Sequence, residues 1–91
     1  MNPKEIIITV TPADAQSCGR YGSGHDCLLA TAVKRQTGHQ VDCGGYTLLM
    51  GGAWFRIVDH SRILRAYAPL GFGLRNKPAV NEPFTVTLIP E

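Results

Sequence analysis

Cys27 stands at the head of an apolar run, Cys27-Leu28-Leu29-Ala30-Thr31-Ala32-Val33-Lys34-Arg35-Gln36-Thr37-Gly38, with His25 two residues earlier. A thiol at a helix N-terminus has its thiolate stabilised by the helix dipole, so Cys27 is the one residue whose placement suggests nucleophilic chemistry. A thiol hydrolase also needs a histidine and an orienting residue from elsewhere in the fold. His60 with Asp59 or Asp42 are the candidates, and their spacing is not diagnostic. The competing reading is a small apolar cysteine buried at the start of a helix. Cys18, His25, Cys27, His39 and Cys43 would suffice for tetrahedral zinc, but no C-x-x-C knuckle is present to build a tight half-site. No catalytic residue, metal site or cofactor is assigned on these grounds.

The second constellation is basic and aromatic. Between residues 54 and 77, Arg56, Arg62, Arg65, Arg75 and Lys77 face Asp59 alone, although the whole chain carries a formal net charge of only +2. Guanidinium groups take phosphate bidentately and aromatic faces stack on bases. Arg56, Arg62 and Arg65 are therefore candidate phosphate ligands, and Trp54 or Tyr67 the stacking surface. Gly19-Arg20-Tyr21-Gly22-Ser23-Gly24 adds Arg20 on a glycine-rich approach to a helix N-terminus, where free N–H groups favour anions. The Gly-Lys-Ser/Thr of a Walker loop is absent. The bland reading is a solvated sheet face with Trp54 and Tyr67 in the core.

The elements that must position these residues are legible in outline. Glu5-Ile6-Ile7-Ile8-Thr9-Val10 is β-branched, ends before Pro12 and predicts an opening strand buried on both faces. Residues 11 to 26 read as a long loop. Asp26 is the expected N-cap of the helix, Lys34 and Arg35 lie in its last turn, and Gly38 takes the left-handed position after it. Tyr46 to Met50, Gly51-Gly52 and Ala53 to Val58 form a hairpin signal, with Trp54 and Arg56 on one face and Phe55 and Ile57 on the other. Arg62 to Tyr67 fits a helical turn or a strand, and the strand is preferred. Pro69 to Asn81 reads as loop. Phe84, Val86 and Leu88 alternate with Thr85 and Thr87 in a closing strand.

At 91 residues with 44% apolar and 18% charged content, the chain is expected to form a single domain spanning residues 1–91. Its class is α+β: one main helix, at about 27–37, packed on a small, mainly antiparallel sheet of four to five strands. Neither a secretory signal nor a spanning segment is visible, and the odd cysteine count argues for reduced thiols, so a cytoplasmic location is expected. Small domains gain stability from partner subunits, and a homo-oligomer is expected.

Two resemblances add to this reading. His25-Asp26-Cys27 before a helix resembles the start of papain-like and bacteriocin-processing cysteine peptidases, over about a dozen residues; it implies a small hydrolase using Cys27. The run from Cys27 to Gly38 is similar to the Cys-Pro-Ile-Ala-x-Ala-Ile-Lys helix of a family of short phage and prophage proteins, mostly of unassigned function. Pro83-Phe84-Thr85-Val86-Thr87-Leu88 is similar to that family's closing Pro-Phe-x-Phe-x-Leu strand. Leu28 stands where the family has proline. The resemblance implies a phage-encoded counter-defence factor in the host cytoplasm, which sequesters a phosphorylated, nucleotide-like signal or blocks a host protein. Neither activity needs catalytic residues, a membrane or long nucleic acid.

Overall fold

A computed structural model describes residues 4–19, 24–68 and 77–91. The order of elements is β1 (Ile6–Val10), α1 (Pro12–Ser17), α2 (Leu28–Thr37), β2 (Val41–Gly44), β3 (Thr47–Met50), β4 (Ala53–Val58), α3 (His60–Tyr67) and β5 (Phe84–Pro90). The strands form one antiparallel sheet in the order β1-β5-β4-β3-β2. The α+β class and the antiparallel sheet are as the sequence predicts. The helical part differs, because α2 has two short companions instead of standing alone.

The alternation of strand side chains divides the sheet into two faces. Ile8, Val10, Leu48, Met50, Phe55, Ile57, Val86 and Leu88 point inward and are buried against Leu28, Leu29, Ala32 and Val33 of α2. Each fully buried Leu, Ile or Val contributes roughly 1.5–3 kcal/mol, which a three-turn helix could not supply alone in water. Gly51 and Gly52 turn the β3–β4 hairpin with φ of 59° and 79°, the positive angles of a two-residue hairpin loop.

Four expectations are corrected. Residues 11–26 are not all loop: Thr11 caps α1, accepting from the Asp14 amide while the Asp14 carboxylate accepts from the Thr11 amide and hydroxyl, and Pro12 occupies the first turn. The N-cap of α2 is Cys27 rather than Asp26, and its side chain makes no capping hydrogen bond. Residues 60–67 are helical, because His60, Ile63, Ala66 and Tyr67 recur at helical spacing and bury one face. Asp59 makes the entry turn at φ 63°. Finally, β1 is an edge strand with one solvent face, and Ile7 on that face is 61% exposed.

Both edges of the sheet are bonded by groups in the last turn of α2 or in the segment just before it. On β1, the Gln36 side-chain amide takes the place of a peptide group: its Oε1 accepts from the Thr9 amide at 3.0 Å and its Nε2 donates to the Ile7 carbonyl at 2.7 Å. Arg35 Nη2 donates to the Thr9 carbonyl at 2.7 Å. On β2, the Cys43 amide donates to the Gly24 carbonyl at 2.8 Å, and His25 Nδ1 lies 3.2 Å from the Val41 carbonyl. A Cβ at Gly24 would sit 2.5 Å from the exposed Asp42 carboxylate, which would have to turn away, and 3.2 Å from the Cys43 carbonyl. Exposed strand edges recruit other chains. Gln36→Ala should therefore cost under about 1 kcal/mol of stability yet introduce concentration-dependent association, read by size-exclusion chromatography. A variant that stays as disperse as the wild type at millimolar concentration would show that Gln36 does not guard the edge.

Candidate functional site

The outward face of the sheet carries the first pair of predicted site residues. Trp54 and Arg56 project from β4 on the solvent side, opposite the buried Phe55 and Ile57, as the hairpin signal predicts. Trp54 is 52% exposed. Its cross-strand partner is Leu49, and the partners of Arg56 are Thr47 and Ile89. The surroundings are thus aliphatic or hydroxyl-bearing. Among the described residues, Asp42 stands at one margin, beyond Leu49, and Glu91 at another, its amide donating to the Trp54 carbonyl at 3.1 Å.

Arg62 and Arg65 are elsewhere. Both lie on the exposed side of α3 and, with Asn81 and Glu82, line a shallow cleft of about 190 Å³. Arg62 Nη1 donates to the Thr85 carbonyl at 3.2 Å, whereas Arg56 sits across from Ile89. Those anchor points are four residues apart on β5, roughly 13 Å. Three arginines converging on one phosphate is therefore corrected to two separate pairs. The expected pairing of residues 62–67 with β4 is also corrected, since β4 pairs with β3 and β5.

Tyr67 is not a stacking surface. It is fully buried, its hydroxyl accepts from the Leu28 amide at 2.9 Å and donates to the Gly19 carbonyl at 2.7 Å, and burial pushes its pKa up. Arg20 lies outside the described residues. A roomier cleft of about 480 Å³ lies beside α2, lined by Ser17, His25, Asp26, Thr31, Lys34 and Arg35. Its charges are mixed, and Arg35 is already committed to Asp14 at 2.8 Å.

The three cysteines, scattered in sequence, gather around the N-terminus of α2. All are free thiols. Cys18 Sγ lies 3.8 Å from the Tyr67 hydroxyl, and burial pushes its pKa up. The neighbouring Cys43 thiol draws the Cys27 pKa down to about 7 against the opposing effect of burial, helped by the Ala30 and Leu29 amides of the first turn. Cys43 is correspondingly raised. No histidine is seen among the hydrogen-bond partners of Cys27 within the described residues, so a hydrolytic dyad gains no support from the geometry. Among the described residues, no group of three or more His, Cys, Asp or Glu side chains is arranged to hold a metal ion, and no helix is long and apolar enough to cross a membrane. Comparison with family models, curated proteins and solved structures finds no match for this chain.

Proposed function

We propose that this protein is a non-enzymatic binding protein, of the phage counter-defence kind, that captures a phosphorylated, nucleotide-like ligand on the open face of its sheet. One observation carries the reading: Trp54, half exposed, and Arg56 stand two residues apart on the same face of β4. An aromatic on an open sheet face is a base-stacking platform, and a guanidinium beside it reaches the phosphate. Stacking contributes about 1–3 kcal/mol and a charge-assisted hydrogen bond about 1.5–3 kcal/mol. Their sum, about 2.5–6 kcal/mol, corresponds to a dissociation constant between about 10 mM and several tens of micromolar for one copy. Sequestration at micromolar levels therefore calls for two faces around one ligand, which agrees with the expected homo-oligomer. Arg62 and Arg65, in their own cleft, form a secondary anion site in this scheme.

Trp54 is the single tryptophan, so its fluorescence reports on this face directly. Titration with adenosine monophosphate and with cyclic dinucleotides should give saturable quenching and a raised Tm, and Arg56→Ala should weaken binding about tenfold. Unchanged emission and Tm at high ligand excess would sink the proposal. The second reading is that the same face docks a host protein. It is favoured by Ile7, 61% exposed in the row shared with Thr87 and Val58, which a nucleotide bound at Trp54 would not need.

A further inference from the structure

Cys27 and Cys43 come together from distant positions in the chain. Cys27 ends the approach to α2 with an extended backbone, and Cys43 lies within β2, the edge strand. The Cys43 amide is bonded to the Gly24 carbonyl, which fixes the approach segment against Cys43 three residues before Cys27. Each thiol is the largest single influence on the other's proton affinity, which places the two side chains side by side. Cys18, by contrast, is turned toward Tyr67 and the Ala15 carbonyl. We propose that Cys27 and Cys43 form a peroxide-oxidised dithiol site, in which a reversible disulfide ties the start of α2 to the edge strand.

The chemistry balances with hydrogen peroxide as oxidant. The Cys27 thiolate attacks one peroxide oxygen; an S–O bond forms, the O–O bond breaks, and the hydroxide released is protonated to water. Cys43 sulfur then attacks Cys27 sulfur. The S–S bond forms, the S–O bond breaks, and the departing hydroxide takes the Cys43 proton as a second water. Two thiols are oxidised and one peroxide is reduced. A small oxidant suits the site because Cys27 is only 8% exposed. The lowered Cys27 pKa supplies thiolate near neutral pH, so the oxidation rate should rise with pH and level off above about 7.

The test uses the full chain and a few equivalents of hydrogen peroxide. Intact mass should fall by two hydrogens, a non-reducing peptide map should join Cys27 to Cys43, and Cys18 should remain open to alkylation after denaturation. Dithiothreitol should reverse the change. Closing a loop of this size should raise Tm by on the order of 10 °C in the oxidised form. In Cys43→Ser, Cys27 should instead accumulate as a sulfenic acid that dimedone traps. A wild-type map showing Cys27 overoxidised without a bridge, a bridge from Cys27 to Cys18, or no oxidation would overturn the proposal, and that map requires no variant to fold.

Discussion

Tyr67→Phe should lower the folding stability by about 2–3 kcal/mol, a fall in Tm on the order of 10–20 °C, although it removes a single oxygen atom. The hydroxyl accepts from the Leu28 amide and donates to the Gly19 carbonyl, so it joins α3, the first turn of α2 and the end of the segment after α1. A helix N-terminus leaves its first amides without intrahelical partners. Here Cys27 gives no side-chain cap, and the phenol serves the Leu28 amide instead. Leu28 is fully buried, so water does not readily replace the lost acceptor. Urea denaturation at 25 °C measures the effect. A loss below about 0.5 kcal/mol would mean that the phenol is only packed there.

Asp14→Ala should cost a similar amount, about 2–3 kcal/mol. Asp14 is 2% exposed, completes the capping box with Thr11, and receives Arg35 Nε at 2.8 Å and Nη2 at 3.1 Å. Loss of a cap alone costs about 1 kcal/mol. Removing one member of a wholly buried ion pair costs about 3–5 kcal/mol, but the Arg35 side chain is 46% exposed and can return to water, which reduces that figure. Burial acts to raise the Asp14 pKa; the Arg35 and Thr11 hydrogen bonds outweigh it and hold the carboxyl below its ordinary range. A depressed folded-state pKa means that the unfolded chain binds the proton more readily. The stabilisation is thus complete above the unfolded value, near pH 4, and is lost as pH falls through the folded value. Denaturation profiles between pH 7 and pH 2 should show this acid loss in the wild type, with Asp14→Ala lacking its Asp14 component.

The parts of the fold read correctly from sequence are those specified by local rules. Gly51-Gly52 between apolar runs fixed the hairpin, the alternation of Phe84, Val86 and Leu88 fixed the inner face of β5, and period-two geometry placed Trp54 with Arg56. Thr11-Pro12-Ala13-Asp14 carried a capping signal that the glycine-rich stretch behind it obscured. In α3, four apolar or aromatic positions recurred at helical spacing, but eight residues allow either period, and only docking against the core decided between them. The place of Tyr67 is not legible in the sequence, because a phenol suits a stacking surface or a core equally well. Its partners lie 39 and 48 residues away, set by tertiary structure alone. The approach of Cys27 to Cys43 was hidden for the same reason, since it depends on β2, which local pattern did not announce.

The guarding of both sheet edges by residues in and just before one helix ties solubility to cooperativity. Gln36 and Arg35 at one end of α2, and Gly24 and His25 before the other, can serve β1 and β2 only while α2 is docked. Undocking α2 would bare the two outermost strands together, at opposite sides of the sheet, and a body with two open strands polymerises where a body with one stops at a pair. Fibril growth in this protein should therefore follow the population that has lost α2, and mutations that merely fray β1 or β2 should yield dimers.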